Sequence, residues 1–167
     1  YISQSGALLA AILDTANANG IGFSSLVSIG NKADVDELDL VETFGSQRET
    51  KVIAGYLESI TDGNAFVREA EQISQKKPIL LMKSGRTAAG AKAASSHTGS
   101  LAGGDVAYES AFTRAGVIRC ESIKQQFDFA QAFANQPLPK GPNMIVITNA
   151  GGPGIMAADA IEQKGLV

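Results

Sequence analysis

The chain has one histidine, His97, in the stretch AASSHTGS, with Ala93, Ala94, Ser95 and Ser96 before it and Thr98, Gly99 and Ser100 after it. No large apolar neighbour is at hand to bury the ring, and small hydroxylated flanks suit the close approach of a phosphate. An imidazole with a pKa of about 6.5 is substantially neutral at pH 7, so a ring nitrogen can act as a nucleophile. Attack on phosphorus would give a phosphoramidate able to pass its phosphoryl group to a nucleoside diphosphate. The plainer reading is a loop histidine bonded to backbone. The phosphoryl chemistry needs anion donors, an acceptor for the other ring N–H, and a segment able to move.

Two helix starts supply candidate donors. SQSG (3–6) follows a strand and opens a helix, so Ser3, Ser5 and Gly6 would present hydroxyls and backbone N–H groups at the positive end of a helix dipole. TNAGGPG (148–154) repeats the arrangement: Gly151 and Gly152 allow a ligand to reach the backbone, and Pro153 suits a first helical turn. Ordinary capping and a tight turn are the plain alternatives. The ring acceptor should be a carboxylate, and Glu58, at the end of KVIAGYLE and before SITDG, stands where strand C-termini line a ligand crevice. A solvated glutamate or a helix cap is the other reading of Glu58.

Two nucleotide motifs fit less well. Gly152, Gly154 and Ala157 match G-x-G-x-x-A, but the acidic residue expected about 20 positions on lies past Val167. GRTAAGAK (85–92) fails as a P-loop, because Lys92 does not follow Gly90 directly and Ala93 stands where Ser or Thr belongs. Cys120 reads as a small strand hydrophobe, since nothing near it in sequence would lower its pKa.

These residues need a scaffold, and the pattern alternates short β-rich runs with amphipathic stretches. Strands are expected at 24–30, 51–58, 77–83 and 116–120, with helices at 7–19, 35–45, 64–75, 105–114 and 122–134. Asn64 is the expected cap of the third helix. Residues 84–104 read as one long loop, a length that is usually functional. NQPLPKGPN (135–143) reads as a linker, followed by a strand at 144–149 and a helix at 152–164. Such alternation gives an α/β fold, a parallel sheet with helices on both faces.

Bulk properties narrow the classes. Hydrophobic residues make up 44% and charged residues 19%, with a net charge of −3, which fits a globular protein and argues against nucleic acid as a partner. Apolar runs such as PILLM and MIVI are too short to cross a bilayer, so no membrane role is expected. One cysteine and one histidine exclude an intrachain disulfide and make a transition-metal site unexpected. A reducing cytoplasm is the default location. The ends, YISQSG and IEQKGLV, read as cut from a longer polypeptide.

Together, SQSGALLAAILD, SIGNKADVD, YLESITDG, LLMKSGRTAAGAKAASSHTGS and VITNAGGPGIMAADA resemble the NDP-forming acyl-CoA synthetases, the superfamily that includes succinyl-CoA synthetase. SSHTGSLAGGD carries the most specific likeness, and the arrangement resembles the ADP-forming acetyl-CoA synthetase type. The resemblance implies a phosphorylated His97, a Glu58 that orients its ring, and one phosphate site shared by Ser3, Ser5 and Gly6 with Asn149, Ala150, Gly151 and Gly152. It implies that residues 1–136 are a flavodoxin-like, phosphohistidine-bearing CoA-ligase domain. By the same resemblance 137–142 form a linker and 143–167 the first βα unit of a second flavodoxin-like domain. CoA or acyl-CoA and phosphate are the implied ligands, with ATP or ADP and Mg²⁺ in an ATP-grasp domain elsewhere. The implied partners are that domain and a CoA-binding domain, in the same protein or a partner subunit. GNKADVD is implied to lie near the substrate, although Asp34 and Asp36 read equally as helix caps. A branch of the superfamily supplies the alternative, a non-catalytic synthetase-like region of a protein lysine acetyltransferase. In that branch the phosphohistidine is typically replaced. A nicotinamide oxidoreductase rests on Gly152, Gly154 and Ala157 alone.

Overall fold

The computed structural model describes residues 1–98 and 104–167, with side chains for all of these except 94–98. The chain forms two compact units, Tyr1–Asn135 and Gln136–Val167. In the first, the order is β1 (Ile2–Ser3), α1 (Gly6–Ala18), β2 (Val27–Ser28), α2 (Glu37–Ser46), β3 (Ile53–Leu57) and α3 (Gly63–Ser74). There follow β4 (Ile79–Lys83), α4 (Ala88–Thr98), α5 (Asp105–Arg114), β5 (Ile118–Arg119) and α6 (Ile123–Asn135).

All strand pairs are parallel, in the order β2-β1-β3-β4-β5. β3 (IAGYL) and β4 (ILLMK) are buried on both faces, which is why they read as continuous apolar runs rather than alternating ones. Successive side chains part to opposite faces. Ile53, Leu57, Ile79 and Leu81 join Val41, Phe44, Phe66 and Phe112 from α2, α3 and α5. Ala54 and Leu80 join Ile12, Ala16 and Phe127 from α1 and α6. Each fully buried Ile, Leu or Phe contributes roughly 1.5–3 kcal/mol, so these two clusters hold the unit together. The expected α/β architecture, helices on both faces of a parallel sheet, is the one observed.

Local chemistry sets the ends. α1 closes with a Schellman arrangement: Gly20 has φ +66°, Ile21 N–H donates to Ala16 O at 2.8 Å, and Gly20 N–H to Asn17 O at 3.3 Å. Asp36 caps α2 in a capping box with Asp39. α2 and α3 approach closely where Gly45 lacks a Cβ, which would lie 2.6 Å from Ile73 Cδ1.

Three expectations need correction. Residues 84–104 are not one loop, because α4 occupies 88–98. Its alanine-rich start favours helix, and Thr87 opens it, its Oγ1 accepting from Gly90 N–H at 3.0 Å. The cap of α3 is Asp62, which accepts from the Asn64 and Ala65 amides; Asn64 lies inside the helix. The strand expected at 144–149 has no ladder partner among the described residues. Met144 N–H donates to Val167 O at 2.6 Å, an isolated bond that builds no sheet. The second unit's helix, α7, runs Gly151–Gln163.

Candidate functional site

At the start of α1 the backbone turns on two serines. Ser3 Oγ accepts from Ser5 N–H at 3.1 Å and donates to Ser5 O at 2.7 Å. Ser5 Oγ accepts from Leu8 N–H at 3.3 Å, the third amide of the helix. The first two amides, Gly6 and Ala7, have no acceptor among the described residues. In the second unit, α7 begins in the same way. Thr148 Oγ1 accepts from Ala150 N–H at 3.1 Å and donates to Ala150 O at 3.1 Å. No side chain caps α7, and its third helical position is Pro153, which has no N–H. The Gly151 and Gly152 amides are therefore open, again among the described residues. Pairs of open amides at the positive end of a helix are donors for an anion. Gly154 has a packing reason of its own: a Cβ there would lie 3.0 Å from Thr148 Cγ2.

Glu58 follows β3 directly, next to β1, where the strand order reverses direction and the sheet's C-terminal edge opens. Its side chain is buried, and Tyr56 Oη donates to Oε1 at 3.4 Å. Ser3, Ser5, Gly6 and Glu58 thus share one end of one unit. Asn149, Ala150, Gly151 and Gly152 belong to the other. His97 lies in the last turn of α4, and its side chain is outside those described. Gly99, Ser100 and the rest of 99–103 lie outside the described residues.

The edge holds polar residues that sequence reading did not single out. Gln4 Oε1 accepts from the Glu58 and Ser59 amides at 2.8 and 3.1 Å, and its Nε2 donates to Ser59 Oγ at 3.2 Å. Lys32 Nζ lies 2.6 Å from Glu37 Oε2 and donates to Ser59 O at 2.8 Å. Lys83, at the end of β4, is buried, donates to Ser84 O and stacks 4.4 Å from the Tyr108 ring. Burial, and then the Arg119 charge, pull its pKa down. Arg86 and Asp105, on either side of the stretch that carries His97, are 3.7 Å apart. Arg119 bonds Asp105 and Glu109, and its hydrogen bond holds the Asp105 carboxyl below the usual range. Thr148 was findable by laying T-x-A-G over S-x-S-G. For Gln4, Lys32 and Glu37 no local signal exists.

Cys120 is buried, and burial pushes its thiol up to about 11, so it stays protonated at neutral pH. Among the described residues no cluster of His, Cys, Asp or Glu could hold a metal ion. Among them no helix is long and apolar enough to cross a membrane.

Comparison with known proteins points one way. The model of the succinyl-CoA ligase like flavodoxin domain matches residues 1–133. The chain is 50% identical over 165 residues to the acetate–CoA ligase (ADP-forming) I alpha subunit of Pyrococcus furiosus, covering 99% of this chain and 36% of that protein. It is 45% identical over 161 residues to 4-hydroxybutyrate–CoA ligase (ADP-forming) of Nitrosopumilus maritimus, covering 95% and 23%. Among solved structures, the dinucleotide forming acetyl-coenzyme A synthetase 1 of Ca. Korarchaeum cryptofilum, in complex with phosphate and ADP, superposes with a TM-score of 0.93 at 44% identity. That match covers 99% of this chain and 36% of the other. The chain therefore spans about a third or less of the length of these relatives.

Proposed function

The chain belongs to the family of succinyl-CoA ligase like flavodoxin domains, and from that premise we propose that it is the phosphohistidine-bearing core of an ADP-forming acyl-CoA synthetase. The whole protein would interconvert acyl-CoA, ADP and phosphate with carboxylic acid, CoA and ATP. Phosphate displaces CoA from the thioester to give an acyl phosphate. A ring nitrogen of His97 then attacks phosphorus and the carboxylate leaves. ADP takes the phosphoryl group from the ring, giving ATP, and every step reverses.

Each residue has a physical reason for its part. The Gly6 and Ala7 amides on one helix start, and Gly151 and Gly152 on the other, would bind phosphoryl oxygens. Ser3 and Thr148 shape the two turns, with Ser5 and Ala150 as the caps and Asn149 between Thr148 and Ala150. Glu58 would accept the second ring N–H of His97 and so present the attacking nitrogen. CoA and the nucleotide with its Mg²⁺ would bind in CoA-binding and ATP-grasp domains, of the same protein or of a partner subunit. Residues 1–136 would be the phosphohistidine domain, 137–142 a linker and 143–167 the start of a second domain; the division into compact units after Asn135 supports this. The relatives' names carry different acids, acetate and 4-hydroxybutyrate, at similar identity, so the acyl group is set by features other than overall likeness.

The observation that carries the reading is the pair of matching helix starts, each with two amides open among the described residues, in a chain with one histidine. The test supplies the full-length protein with γ-labelled ATP and Mg²⁺. An acid-labile, base-stable label is expected on residue 97 and is expected to vanish in His97→Asn. Equal labelling of His97→Asn and the parent would refute the reading. Absence of label, with CoA or acyl-CoA still bound, would favour a regulatory region instead.

A further inference from the structure

Lys32 and Glu37 form an ion pair with side chains only 6% and 1% exposed. Lys32 also sits at φ +57°, in the left-handed region that a side chain with a Cβ disfavours. Desolvation and backbone strain thus meet at one residue, and a fold needs neither for stability alone. The bonds made in return all go to one place. An ammonium has three donors. Lys32 Nζ donates to Ser59 O at 2.8 Å and to Ser59 Oγ at 3.3 Å, and lies 2.6 Å from Glu37 Oε2 as an ion pair. The ammonium is thus engaged with Ser59 on one side and with α2 on the other. The second oxygen of Glu37 accepts from the Thr61 amide. From the other side Gln4 Oε1 accepts from the amides of Glu58 and Ser59.

We propose that the Lys32–Glu37 pair, acting with Gln4, is a positioning device for Glu58. It grips the backbone at 58, 59 and 61 and so fixes the point from which the Glu58 carboxylate is presented. This rests on the reading of His97 as the phosphoryl carrier. The Glu58 side chain is buried, so its direction follows its backbone. A neutral residue at 32 could not combine the ion pair to Glu37 with the two bonds that tie Ser59 toward α2. Glu37, as the first residue of α2, is itself held by the Asp36–Asp39 capping box, so the grip is anchored to a regular element.

The test uses the full-length protein carrying Lys32→Met with Glu37→Gln. This removes both charges while keeping an acceptor for Thr61. Ser59→Ala is the milder second variant, which buries no new charge. Two readouts are taken: the single-turnover rate of phosphoryl transfer from ATP to residue 97 with the KM for ATP, and the titration of the Glu58 carboxyl by carbon NMR. The expected result for the double variant is a rate loss on the order of tenfold to a hundredfold, an unchanged KM and a displaced Glu58 titration, with a smaller loss in Ser59→Ala. Parent rates in both variants, or slowed transfer with an unmoved Glu58 titration, overturn the proposal. If the parent itself takes no label on His97, the functional reading falls. The positioning device is then judged on the titration alone: displaced supports it, unmoved overturns it.

Discussion

At the start of α1, Ser5 spends its hydroxyl on the Leu8 amide; at the start of α7, Pro153 stands where that amide would be. Either way the third donor of the helix is removed from play and the first two stay open among the described residues. The preceding hydroxyl, Ser3 or Thr148, makes the same pair of bonds to the capping residue in both. SQSG and TNAGG share little as strings. What they share is which amides they leave unsatisfied.

The two starts differ in support. Ser3 is fully buried in β1, which is bonded to β2 on one side and β3 on the other. Thr148 is exposed, and its segment has no ladder partner among the described residues. The middle carboxamides differ too. Gln4 reaches across to hold Glu58 and Ser59, whereas Asn149 is exposed. The first start is built into a sheet edge; the second carries its donors on a helix whose own unit leaves Ile145 and Ile147 exposed.

Removing one donor from each start breaks the equivalence most directly. Proline fits the first helical position, and Ser5 and Ala150 both have the extended backbone that a following proline requires. Gly6→Pro and Gly151→Pro should therefore fold as the parent does. Each should slow phosphoryl transfer to residue 97 on the order of a hundredfold, as the loss of one preorganised donor does. Rapid-quench labelling of the full-length variants reads this. A smaller effect is expected from Ala150→Asp. Its carboxylate has only the Gly152 amide within the capping range, so it should stabilise α7 by up to about 1 kcal/mol in thermal unfolding. By occupying a phosphoryl donor it should slow transfer by about tenfold, equivalent to about 1.4 kcal/mol in the barrier. Ser5→Ala should have the smallest effect: about 1 kcal/mol of stability from the lost cap, with transfer largely kept because Gly6 and Ala7 are untouched.

Legibility in the sequence followed the range of the interactions. α5 runs from Asp105 to Arg114 as expected, with an acidic residue in its first turn and a basic one in its last, a local charge pattern, although no side chain caps it. α4 was not readable, because Ser, His, Thr and Gly read as loop while the preceding alanines and Thr87 decide for helix. The segment 144–149 has the composition of a strand, but a strand also needs a neighbour, which composition does not supply. In the site, Ser3, Ser5, Gly6 and Glu58 were marked by their place at strand ends. Gln4, Lys32 and Glu37 were not, because their partners lie 54, 27 and 24 positions away and only the sheet order brings them together. Lys32 in GNKADVD is bonded to Ser59, a residue of another segment.

The proposed function has the two helix starts bind one phosphoryl group on His97, as the family resemblance implies. A double-variant cycle on the full-length protein tests it, comparing transfer to residue 97 in Gly6→Pro, Gly151→Pro and the two combined. If both starts hold the same group, the combined loss falls well short of the product of the single losses. Losses that multiply, or a loss confined to one start, would mean that the two starts act on different groups and would contradict the account.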